Sequence, residues 1–115
     1  MAIQIIRTAI TRAELSSAAE SQFGDMVKGV VDVQRRLLAI GGELHSDEES
    51  DLLEDGSEQN DLWGINLYPA EAGDDWIEFD SMINIRPALN NRSRDVEDPA
   101  LRDTIRSVVT GLVKG

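Results

Sequence analysis

The sequence predicts an α+β domain, a two-layer structure in which a mostly antiparallel sheet of four to five strands is covered by an N-terminal and a C-terminal helix. Three observations lead there. Helix-start signatures stand near both ends, Thr11-Arg12-Ala13-Glu14 and Asp98-Pro99. Between them, β-branched or alternating runs come in neighbouring pairs with short polar connections, the pattern of hairpins. The chain has 115 residues, 41% of them hydrophobic, which suits one domain spanning 1–115 with a real core. The expected order is β-α-β-β-(short α)-β-β-α.

The first strand is expected over Met1 to Arg7, where Ile3, Ile5 and Ile6 concentrate. Thr11 then caps a helix, with Glu14 completing the capping box, Ile10 and Leu15 flanking it, and Gly24 as its stop. Val27, Val31 and Val33 share one side of a second strand, with Lys28 and Asp32 on the other. Gln34-Arg35-Arg36 connects it to Leu37–Ile40 without a glycine, and valine density disfavours one long helix from Asp25 to Ile40. The pair Gly41-Gly42 points to a bulge or a close backbone approach. Ser46-Asp47-Glu48-Glu49 matches a second capping box, opening a short helix closed by Gly56. Leu62 to Tyr68 and Trp76 to Arg86 read as two further strands. The last helix carries Leu101, Ile105, Val108, Val109 and Leu112 on one stripe.

Charge is unevenly distributed. There are 11 basic and 22 acidic side chains, a net charge of −11. Fourteen of the acidic residues, and no basic one, lie between 43 and 80. Such a surface disfavours nucleic acid, which binds proteins by having its phosphates neutralised. The absence of cysteine removes disulfides and thiolate metal sites, and a single histidine removes any site needing two imidazoles. No apolar run reaches the roughly 20 residues of a membrane span. The N-terminal residues also lack the layout of a signal peptide. The expectation is a soluble, cytoplasmic protein without membrane contact.

If Trp76 to Arg86 is a regular strand, Glu78, Asp80, Asn84 and Arg86 look one way, opposite Ile77, Phe79, Ile83 and Ile85. The same logic gathers Lys28, Asp32, Glu43, His45, Asn66 and Tyr68 on the polar side of the sheet. A solvated sheet face is the plain explanation, but Asp and Asn are poor strand formers and adjacent carboxylates repel. Glu43, His45, Glu78 and Asp80 are therefore candidate ligands for a divalent cation such as Mn²⁺ or Mg²⁺. His45, Glu43 and Asp80 are the candidate catalytic groups. Asp51 to Gly56 is rejected as a calcium loop because Leu53 stands where an oxygen ligand is required. In the loop Arg86 to Arg94, the residues Asn84, Arg86, Asn91, Arg92 and Arg94 are candidates for clamping a phosphate or carboxylate. The alternative is an internal salt-bridged loop. No nucleotide-binding, zincin or serine-hydrolase motif occurs, and no cofactor is identified.

Several longer segments carry a resemblance: Gly41-Gly42-Glu43-Leu44-His45, Asp61 to Pro69, Trp76 to Asp80, and Asn84 to Pro87 through Asn91-Arg92-Ser93-Arg94 to Val96-Glu97-Asp98-Pro99. In these the chain resembles a family of short prokaryotic proteins known only as a domain of unknown function. The Gln34-Arg35-Arg36 turn departs from that pattern, where a glycine is expected. The resemblance implies a shared fold and a shared polar site, with no activity attached. Two function classes follow from the residues. One is a non-catalytic binding or interaction module that takes a small anionic ligand or a protein partner through the polar face and the arginine loop. The other is a small metal-assisted hydrolase using Glu43, His45, Glu78 and Asp80. A homodimer through an open sheet edge is a further expectation.

Overall fold

Alternation along the chain produces a five-stranded antiparallel sheet. The computed structural model describes residues 2–115. Strands β1 (Gln4–Ile6), β3 (Val27–Asp32), β4 (Leu37–Ile40), β5 (Leu62–Leu67) and β6 (Ile77–Glu78) are arranged in the order β1-β4-β3-β5-β6. Two-residue strands β2 (Ile10–Thr11) and β7 (Val113–Lys114) pair in parallel beside it, a link that the sequence did not suggest. Three helices, α1 (Arg12–Glu20), α2 (His45–Glu54) and α3 (Pro99–Leu112), complete the α+β fold. Met1, part of the expected first strand, lies outside the described residues. Among the described residues no helix is long and apolar enough to cross a membrane.

The N-terminal capping box forms as its residues dictate. The Thr11 hydroxyl accepts the Glu14 N–H at 3.0 Å, and the Glu14 carboxylate accepts the Thr11 N–H at 3.1 Å. At the other end Gly24, with φ +93°, donates its N–H to Ala19. Asp98 caps α3 by accepting the Ala100 N–H, ahead of Pro99 in the first turn. In the β3–β4 turn the Asp32 carboxylate accepts the N–H groups of Gln34 and Arg35 at 2.9 and 2.8 Å. That side-chain turn lets Arg36 take the left-handed φ of 56° that a glycine would ordinarily supply.

Residue parity sorts the sheet into two faces. Ile6, Val27, Val31, Leu38, Ile40, Trp63, Ile65, Leu67 and Ile77 point to the side covered by α1 and α3, where Leu15, Ala19, Ile105, Val108 and Val109 meet them. Val30, Leu37, Ala39 and Leu62 point the opposite way and pack with Leu52 of α2 and Ile83. The expected two layers are thus corrected. The short acidic helix also finds an apolar surface to cover, and part of the supposedly solvated face is core.

Two further expectations give way to tertiary structure. The Ser46–Glu49 capping box does not form. The helix begins at His45 behind Leu44, which offers no side-chain cap, so Ser46 already lies inside the first turn. Glu48 turns inward and accepts the Gly42 N–H at 3.0 Å. A Cβ on Gly42 would stand 2.8 Å from Glu48, which is the close approach that the paired glycines foreshadow. The strand expected from Trp76 to Arg86 stops after Glu78 and breaks into 3-10 turns over Met82–Asn84 and Pro87–Leu89. Gly64 explains the break. Its missing side chain admits Ser81, which would lie 2.5 Å from any Cβ there. The Asn84 amide then accepts the Gly64 N–H at 2.8 Å and donates to its carbonyl at 2.9 Å. One side chain replaces a neighbouring strand, and the Arg86 guanidinium does the same for the Leu62 carbonyl.

Candidate functional site

Three registered neighbours define the centre of the site. Lys28 of β3 lies opposite Asn66 of β5, and Asn66 lies opposite Glu78 of β6, so the three side chains form a row on one face. That row floors a cleft of about 650 Å³, bounded by the start of α2 and by the segment after β6. His45, Ser46, Tyr68, Asp80, Ser81 and Arg94 complete its polar lining. Met26, Leu44, Met82 and Ile83 supply its apolar walls.

The polar groups differ in how far they are satisfied. The Asn66 amide nitrogen donates to Glu78 at 2.8 Å and to the Asp80 carbonyl at 3.1 Å, while its buried oxygen has no donor. The Tyr68 hydroxyl reaches the same Glu78 oxygen at 3.3 Å. Burial, then the Glu78 charge, raises the tyrosine's pKa. Arg94 and Asp80 form a half-exposed ion pair at 2.6 Å. Lys28 is half-buried, with its ammonium 5.3 Å from the centre of the Phe23 ring. Among the described residues it has no carboxylate within ion-pairing distance.

His45 occupies the first turn of α2, and its Nε2 lies 2.8 Å from the Ile65 carbonyl. A carbonyl only accepts, so Nε2 carries the proton and the lone pair sits on Nδ1. Burial lowers the imidazole's pKa, and the Lys28 charge adds to this. The Ile65 bond, Asn66 and Asp80 pull the other way. The first turn of a helix also disfavours a positive ring. His45 is accordingly a neutral group with one nitrogen held by the backbone and the other a potential base. Behind it, burial raises the Glu48 carboxyl to about 9, so it is protonated at neutral pH, with one oxygen lacking any partner.

Lys28, His45, Asn66, Tyr68, Glu78 and Asp80, grouped by strand parity, line this cleft, joined by Arg94 from the loop. The others lie elsewhere. Asp32 caps its own turn and accepts the Ser57 hydroxyl at the far end of β3. Glu43 lines a neighbouring groove with Phe23 and Leu44, so the four candidate metal ligands do not converge. Among the described residues no three His, Asp or Glu side chains gather at a common point. The arginine clamp also disperses. Arg86 pairs with Glu49 at 2.9 Å and lies over Trp63, and Arg92 is exposed, with its backbone N–H bonded to Glu97. Asn84 and Asn91 are buried, and their amides bind backbone groups. Asn91 donates to the carbonyls of Asn84 and Asp95 and accepts from Glu97. Their role is to fasten the loop. Sequence reasoning missed Leu44 and Met82, 55% and 65% exposed at the cleft mouth, because isolated apolar residues in loops carry no periodic signal.

These features define a small α+β protein with a ligand-sized polar cleft on one face of its sheet. Residues 4–112 match the model of a family described as Protein of unknown function (DUF5674), and the chain belongs to that family. Neither a curated protein nor a solved structure matches it significantly.

Proposed function

We propose that this protein is a binding module whose cleft receives a small ligand through an anionic group held at Lys28. The observation that carries this reading is the unpaired ammonium. In a chain with 22 Asp and Glu residues, the one lysine of the cleft has no carboxylate partner among the described residues. It is nonetheless half withdrawn from water, and that withdrawal is unfavourable without a compensating charge. Arg94 is a second cation at the rim, held in a half-exposed ion pair with Asp80.

The hydrolase reading draws on His45, whose Nδ1 is free to accept a proton. It also needs Glu43 and Glu78 beside a shared metal. Glu43 opens onto another groove, away from the cleft that Glu78 lines. Binding is the better supported function. Titration of inorganic phosphate and small carboxylates, followed by amide NMR shifts, tests it. The expected result is shifts at Lys28, His45 and Asn66 with millimolar affinity, weakened about tenfold in Lys28→Met. Affinity unchanged by Lys28→Met would refute it.

A further inference from the structure

The row across β3, β5 and β6 has opposite needs at its two ends. Lys28 offers only donors and lacks an acceptor. At the other end there is a surplus of acceptors. Exposed Glu78 presents one oxygen to solvent with no protein donor among the described residues, and half-buried His45 does the same with Nδ1. The buried oxygen of Asn66 behind them is also without one. The Arg94 charge does not fill that need, because it is held by Asp80. Two strand spacings, about 9.5 Å, separate the backbones of Lys28 and Glu78. Their charged ends form no ion pair with each other, and a ligand with its own two charges would bridge them. Leu44 and Met82 are both exposed at the mouth.

We infer that the cleft takes a free α-amino acid with an apolar side chain. Its carboxylate meets Lys28, its ammonium meets Glu78 and His45 Nδ1, and its side chain lies along Leu44 and Met82. This rests on the binding reading above and narrows it to a ligand class. A purely anionic ligand would face the Glu78 charge without a cation to offset it, whereas a zwitterion answers both ends of the row.

Calorimetric titration with four compounds tests the inference. They are leucine, 4-methylpentanoate (no ammonium), 3-methylbutylamine (no carboxylate) and glycine (no apolar body). Leucine should bind at least about tenfold more tightly than each of the others. Glu78→Gln keeps the acceptor oxygen for Asn66 and should weaken leucine while tightening 4-methylpentanoate, which no longer faces the Glu78 charge. Met82→Ser, at an exposed position, should weaken leucine but not glycine. If 4-methylpentanoate equals leucine, or Glu78→Gln leaves leucine unaffected, the amino-acid inference fails and the anion site stands. If none of the four binds at about 10 mM, a free energy weaker than roughly 3 kcal/mol, both readings fail.

Discussion

The two faces of the sheet are built from alternate residues of the same strands and end up with different physics. Toward α1 and α3 the contributed side chains are apolar and fully buried. Toward α2 the same strands contribute Val30, Leu37, Ala39 and Leu62, but also Lys28, Asp32, Asn66 and Glu78. Glu48, Ser81 and Asn84 are buried against that second face. One face stabilises by excluding water. The other combines a smaller apolar cluster with hydrogen-bonded and partly unsatisfied polar groups, an arrangement that lowers stability and builds a concave surface. The difference separates groups that hold the fold together from groups left facing a cleft, and the binding proposal rests on the second set.

The largest expected effect comes from breaking the apolar face. Leu15→Ala should cost about 3–5 kcal/mol in urea unfolding, and Leu52→Ala, in the smaller cluster, about 2–3 kcal/mol. Equal losses would mean that the two clusters are one core. Asn84→Ala comes next. It strands both backbone groups of Gly64 in a buried position, and the expected loss is about 2–4 kcal/mol.

Glu48 sharpens the comparison in the opposite direction. In the folded protein its carboxyl holds a proton up to about 9, whereas in the unfolded chain it ionises near its ordinary 4.5. Between those values unfolding releases a proton, so this group's contribution to stability is intact below about 4.5 and declines as pH rises toward 9. Glu48→Gln should flatten the pH dependence of stability and raise stability at pH 7.5 by about 1–3 kcal/mol. An unchanged pH profile would place the titration elsewhere. The smallest contrast is between the two capping boxes read from the sequence. Thr11→Ala should cost about 1 kcal/mol, and Ser46→Ala close to nothing.

Much of the apolar face was legible in the sequence, because helical and strand periods report burial directly. The alternation of Val27 and Val31, the Thr11 box and the Asp98-Pro99 start are local patterns with local causes. The stretch from Trp76 to Arg86 was not. Its alternation of Ile83 and Ile85 with Asn84 and Arg86 imitates a strand. The space left by Gly64 and the Asn84 amide bound there are contacts across 20 residues of chain that no local pattern encodes. Ser46 illustrates the same limit, since the burial of Glu48 under Gly42 sets the helix start differently from the box. Of the polar residues, those on regular strands were grouped correctly by parity. For Arg86, Asn84 and Asn91 the sequence left a ligand clamp and an internal loop both open, because residue type alone does not distinguish an amide or guanidinium that binds backbone from one that awaits a ligand.

Lys28→Met, measured for stability and for leucine affinity in the same preparation, tests the division between the faces most directly. Because the ammonium lacks a carboxylate partner and methionine preserves its length, the midpoint of thermal unfolding should stay the same or rise while affinity falls about tenfold or more. A lowered midpoint with affinity intact would contradict the account, making Lys28 a structural residue and the cleft an ordinary solvated surface.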